Sequence, residues 1–210
     1  MEERFNRDSD ELSSFLRHYY MKNGEIIEKR KIFSTIRELF ENLSEREIRD
    51  ITKNLNRFST YYQMILTPEQ YLEKKPKNII KHLIRINNLN TESPYPFLLH
   101  CLDQNEDLPG RGKILSDEEF ERILETIESY LVRRFVCQKK TNVLPKVFSE
   151  LCPKRGMERV PINAYELTQK INELPKADPP ANGEFIEYLV NEDIYRKGSA
   201  MSGIKVLLAG

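Results

Sequence analysis

The sequence predicts an all-α fold, an irregular bundle of about eight to nine helices, and three observations predict it. Apolar residues recur at three- and four-residue steps along most of the chain. Two Ser-x-x-Glu capping boxes, Ser44 with Glu47 and Ser116 with Glu119, open long runs of that period. No segment alternates at period two, and no Asn-Gly turn separates β-branched runs.

In chain order, Leu12, Phe15, Leu16 and Tyr19 follow Asp8 and Ser9, either of which can supply an N-cap, and the pattern ends at Asn23 and Gly24, so a helix is expected over 9–22. Ile32, Phe33, Ile36, Leu39 and Phe40 make a second stripe. A third helix runs from the Ser44 box to Leu66, with Ile48, Ile51, Leu55, Phe58, Tyr62, Ile65 and Leu66 as a long buried face and the central element of this half. Thr67 with Pro68 reads as a cap and first position of a short turn, and Pro76 as the start of a helix carrying Ile79, Ile80, Leu83, Ile84 and Ile86. Tyr95, Phe97, Leu98, Leu99 and Leu102 form a short buried helix. Asn105, Pro109, Gly110 and Gly112 read as an exposed loop between Asp103 and Lys113.

That loop divides the chain into an N-terminal helical half, 1–104, and a C-terminal half, 114–210, expected to form one compact unit. The Ser116 box opens a helix over 117–137 carrying Phe120, Ile123, Leu124, Ile127, Tyr130, Leu131 and Phe135. After the polar turn Gln138 to Asn142, a short helix carries Leu144, Val147, Phe148 and Leu151 until Pro153 stops it. Ala164, Leu167, Ile171 and Leu174 form another, with Pro161 at its start. The proline-rich stretch 175–183 is a loop, and Phe185, Ile186, Leu189 and Val190 make the last helix. Residues 203–210 are apolar with no stop signal, so the chain reads as an excerpt from a larger protein.

Composition narrows the function classes. At 210 residues and 24.9 kDa there is room for one large domain or two small ones. Lys plus Arg and Asp plus Glu each number 33, so no global field draws the chain to nucleic acid or membrane. Cys101, Cys137 and Cys152 fit neither a disulfide framework nor paired Cys-x-x-Cys zinc ligands. The charged N-terminus and the lack of a long apolar run argue against a signal peptide or membrane span, and a cytoplasmic location is expected.

Catalytic motifs are not found. Pro109-Gly110-Arg111-Gly112-Lys113 lacks the Gly and the Ser or Thr of a phosphate loop, because Asp107 and Ile114 occupy those places, and it reads as a flexible surface loop. His18, His82 and His100 lie on three different predicted helices with no i, i+4 pair for zinc. Asp117, Glu118, Glu119, Glu121, Glu125 and Glu128 read as a solvated helix face. No metal site or cofactor is expected in this chain.

Local charge is more informative. Lys74 to Arg85 holds five basic residues and no acidic one, and Tyr130 to Val160 holds eight basic and two acidic, whereas 103–128 and 161–193 are acidic. The second basic block offers Arg133, Arg134, Lys139, Lys140, Lys146, Lys154 and Arg155 as nucleic-acid contacts. Adjacent arginines on a helix point about 100 degrees apart, so one of the pair is expected in a structural role, on the helix C-terminal dipole or on a carboxylate.

Glu128-Ser129-Tyr130-Leu131-Val132-Arg133-Arg134-Phe135-Val136-Cys137, followed by Lys140 to Phe148 and Leu151, resembles the helical region of GmrSD-type restriction endonucleases, which reads Glu-Ser-Tyr/Phe, two residues, Arg-Arg, then a Thr-Asn turn and an amphipathic helix. Phe15 to Tyr19, Tyr61-Tyr62, Tyr95 to Leu99 and Asp193-Ile194-Tyr195 are similar to the same region. The resemblance implies a type IV restriction protein directed at modified phage DNA, with a ParB-like nucleotide-dependent domain and a His-Me finger nuclease. This chain lacks the Asp-Gly-Gln-Gln-Arg motif of the first and the histidine setting of the second, so no catalytic residue is carried over and Arg133-Arg134 stands as a family signature. The expectation is a non-catalytic helical module with DNA, flanking domains of the parent or a second copy as partners, and no membrane. The alternative is a protein-protein scaffold with no nucleic-acid role.

Overall fold

The computed structural model describes residues 9–41, 43–154 and 163–191, and among them it contains nine α-helices and no strand. These are α1 (Ser9–Met21), α2 (Ile32–Phe40), α3 (Glu45–Leu66), α4 (Lys77–Asn88), α5 (Tyr95–Asn105), α6 (Asp117–Val136), α7 (Leu144–Leu151), α8 (Ala164–Glu173) and α9 (Asn182–Asn191). Short 3-10 turns at Lys29–Lys31 and Pro68–Tyr71 lead into α2 and follow α3. The all-α expectation holds, because the three- and four-residue apolar steps leave one stripe per helix that only another helix can cover.

The core is organised on α5, whose eleven residues are all buried. Its single ionisable carboxylate, Asp103, has two arginine partners, so burial on every side leaves no unpaired charge. Helices α1 and α3 pack against α5, α7 and α6 also touch it, and α4, α8 and α9 pack along α6. One apolar cluster runs from Phe15 and Phe58 through Phe97 and Leu98 to Phe120, Ile127, Phe148 and Leu167, crossing the boundary between the two halves.

Several sequence expectations change. The buried face of α3 begins only at Leu55, since Ile48 is 37% exposed and Ile51 is half-buried; within the N-terminal half α3 packs on α1, α4 and α5. Asn105 is not in an exposed loop. It ends α5, is buried, and its side-chain amide donates to Leu115 O at 3.0 Å and Asp117 Oδ1 at 2.8 Å. The Pro109–Lys113 segment is held down: Arg111 Nη1 donates to Asp103 Oδ2 at 2.8 Å, and Gln104 O accepts from the N–H groups of Ile114 and Leu115. Gly110 and Gly112, at φ +79° and +74°, occupy the left-handed conformations this reversal requires. Pro161 and Asp193-Ile194-Tyr195 lie outside the described residues.

Candidate functional site

The residues that carried the sequence argument converge at the C-terminal end of α6. That end is a Schellman motif in which Gln138, at φ 53°, takes the left-handed position usually given to glycine. Gln138 N donates to Phe135 O at 3.1 Å and Lys139 N to Arg134 O at 2.9 Å, so the chain turns sharply and Lys140 comes back beside the helix. Glycine is the usual signal for this cap, and its absence hid the turn geometry from a sequence reading.

Arg134 is 2% exposed. Its Nη1 donates to the carbonyls of Ala177 and Asp178, the latter at 3.0 Å, and its Nη2 to Lys140 O at 2.6 Å. Tyr130 Oη donates to the same Ala177 carbonyl at 2.7 Å, and burial raises the Tyr130 hydroxyl to about 12, so it remains a donor. Arg133 lies nearer the surface. Its guanidinium donates to Pro180 O at 3.1 Å and Asn182 Oδ1 at 2.5 Å, and sits 4.9 Å over the Phe185 ring. The pair therefore does have a structural role, but on backbone carbonyls and an amide instead of the carboxylate or dipole expected. A guanidinium suits this because its planar fork can reach several carbonyls at once.

The remaining candidate cations separate. Lys139 Nζ lies 2.8 Å from Glu184 and 3.2 Å from Asp178, and the hydrogen bond to Glu184 leads the effects that raise its pKa. Lys146 pairs with Glu150 one turn on, at 3.5 Å. Lys140 and Lys154 are exposed and have no salt-bridge partner among the described residues. Arg155 lies outside the described residues.

The acidic run on α6 is only partly solvated. Glu128 is largely buried, with its Oε2 2.6 Å from His82 Nδ1 and its Oε1 3.5 Å from Arg85, which ties α6 to α4. Glu119 accepts from the N–H of Ala164 at 2.6 Å and so caps α8. The sequence reading missed both roles because the partners are 46 and 45 residues away. Asp103, with Arg57 at 3.0 Å and Arg111 at 2.8 Å, was also missed, Arg57 being 46 residues away and Arg111 lying beyond a chain reversal.

The three thiols are buried, and burial raises all three, Cys152 to about 12. Among the described residues no group of three or more His, Cys, Asp and Glu is arranged to hold a metal ion, and no helix is long and apolar enough to cross a membrane. No protein-family model matches the chain, and no curated protein or solved structure matches it either. The fold and this joint define an all-α helical domain whose Arg-Arg pair clasps the segment that follows α8.

Proposed function

We propose that the chain is a non-catalytic helical module of a GmrSD-like type IV restriction endonuclease, linking a ParB-like nucleotide-dependent domain to a nuclease domain and touching DNA through the segment 130–155. One observation carries this reading: Tyr130, Arg133, Arg134 and the Lys140 carbonyl, which belong to the stretch resembling that family, act together in one joint. A joint that fixes the direction of the chain after α8 suits a module that transmits position between flanking domains.

Within this reading the phosphate contacts fall to Lys140 and Lys154, with Arg155 next in sequence, because Arg134 is buried and Arg133, Lys139 and Lys146 already have partners. The test is fluorescence anisotropy of the chain with labelled duplex DNA, plain and base-modified, over about 50 to 200 mM salt. Steep salt dependence, lost in a Lys140→Glu, Lys154→Glu variant, is expected. Absence of binding at the lowest salt removes the DNA contact, and turnover of nucleotide or DNA by the purified chain removes the non-catalytic assignment.

A second reading, an interaction scaffold without nucleic acid, is favoured by the outer face of α9, where Ile186, Leu189 and Val190 are exposed, Val190 by 76%. Sedimentation that shows salt-insensitive self-association, with no DNA binding, selects it.

A further inference from the structure

We infer that the cavity between the 89–93 loop and the 138–142 turn is a phosphate site, with Lys140 as its cation. The inference rests on the reading of the module as a DNA-contacting one and says where in the segment a phosphate sits. The cavity measures about 690 Å³, within the range of small-molecule sites, and no carboxylate lines it. Its walls carry Asn90, Thr91 and Ser93 on one side and Lys140, Thr141 and Asn142 on the other. All six bear side-chain hydrogen-bond donors.

A second cavity, of about 660 Å³, is lined by Asp10, Glu11 and Glu92 with one lysine, Lys29. Glu92, the acidic residue of the 89–93 loop, lines that cavity and also a smaller one shared with Asn90, Thr91 and Ser93, with its Oε2 3.7 Å from His18 Nε2.

Both walls are held in place by the fold. Asn90, at φ 52°, follows the end of α4 and donates its N–H to Asn87 O at 3.0 Å, while Ser93 N donates to Thr91 Oγ1 at 3.4 Å. Across the cavity, Arg134 anchors the Lys140 carbonyl at 2.6 Å, and Leu144 N closes a turn on Thr141 O at 3.0 Å. The Schellman bonds take up the Arg134 and Phe135 carbonyls at the negative end of α6, which reduces what an anion there would oppose. Lys139 also lines the cavity, but Glu184 and Asp178 hold its ammonium, so it positions the turn while Lys140 carries the uncompensated charge.

Each wall also runs directly into a helix N-terminus, Ser93-Pro94 into α5 and Thr141 to Val143 into α7. Neither helix has a side-chain cap, because Pro94 and Val143 occupy the cap positions. Helices α3, α6 and α8 are each capped by Ser or Asn. The Ser93, Thr141 and Asn142 side chains with the Lys140 ammonium suit a phosphate oxyanion.

Such a phosphate can come from a nucleic-acid backbone or from a free nucleotide, and two titrations separate the sources. Amide resonances of the isotope-labelled chain are followed while inorganic pyrophosphate, or in a second arm duplex DNA, is added to wild type, Lys140→Glu and Lys146→Glu. Shifts confined to 89–93 and 138–142 are expected in both arms. Lys140→Glu should weaken binding by about tenfold or more, while Lys146→Glu, whose parent side chain pairs with Glu150, leaves it unchanged. Because the Lys140 side chain is exposed, its variant should keep the wild-type urea midpoint. DNA binding that Lys140→Glu does not alter overturns the cavity assignment and leaves the DNA reading standing. Cavity shifts with pyrophosphate alone support the phosphate site and overturn the nucleic-acid source. No shift at these amides in either arm overturns the phosphate site.

Discussion

Arg134 shows how much one buried side chain can hold. Three backbone carbonyls, from Ala177, Asp178 and Lys140, depend on its guanidinium, and each becomes a buried acceptor without that donor when the side chain is cut back. Arg134→Met is expected to cost about 3 kcal/mol, and Arg134→Lys nearly as much, because one ammonium cannot span the three oxygens. Arg133→Ala, nearer solvent, should cost about 1 kcal/mol. Urea midpoints decide this, and an Arg134→Lys variant within about 0.5 kcal/mol of wild type would contradict the joint described here.

His18 makes the protein sensitive to acid. The ring is 2% exposed, touches Tyr62 Oη through Nδ1 at 3.3 Å, and is pushed down to about 3, by burial first and by the Arg17 charge second. Glu92 lies 3.7 Å away and would favour the imidazolium, but its side chain is 59% exposed and water screens it, so burial prevails. The folded pKa lies below the unfolded one, so the neutral ring contributes full stability above about 6.5, and that contribution falls as pH drops toward about 3. By pH 5 the loss from this group is about 2 kcal/mol. A His18→Gln variant should show a shallower fall in urea midpoint between pH 7 and pH 5 than wild type, and equal slopes would exclude His18 as the cause.

Among the elements, α6 and α8 share a cap. Ser116 accepts from Glu119 N at 3.2 Å, which starts α6, and the Glu119 carboxylate then reaches the first N–H of α8, where Asn163 also accepts from Glu166 N at 2.8 Å. Glu119→Ala should therefore fray the first turn of α8 more than α6, at about 1 kcal/mol. Hydrogen exchange reads this directly: protection should fall over 164–167 and stay near wild type in the middle of α6. The helices themselves were readable from the sequence, since apolar period and Ser or Asn caps are local signals. The α6 end was not, because Gln138 takes the place of a glycine and its conformation is imposed by the bonds that close around it.

The whole molecule depends on contacts that ignore the division at 104–114. Glu128 ties α6 to His82 and Arg85 on α4, Asp103 on α5 joins Arg57 of α3 to Arg111 beyond the loop, and one apolar cluster includes Phe58 and Phe120 alike. Urea unfolding followed by far-ultraviolet circular dichroism and by tyrosine fluorescence should give one coincident transition. Two separated transitions would show that the halves fold independently and that these contacts add little.

The sequence by itself determined the helices, their apolar faces and most of their limits, because these follow from spacing along one strand of chain and from caps three residues away. It also showed two adjacent arginines that must diverge. Only the tertiary structure decided which of them is buried, which carboxylates leave the solvated face of α6, and which lysine remains unpaired beside a cavity. Those outcomes depend on partners some thirty to fifty residues distant, and the chain carries no local mark of which charge will meet which carbonyl or carboxylate once the faces are packed.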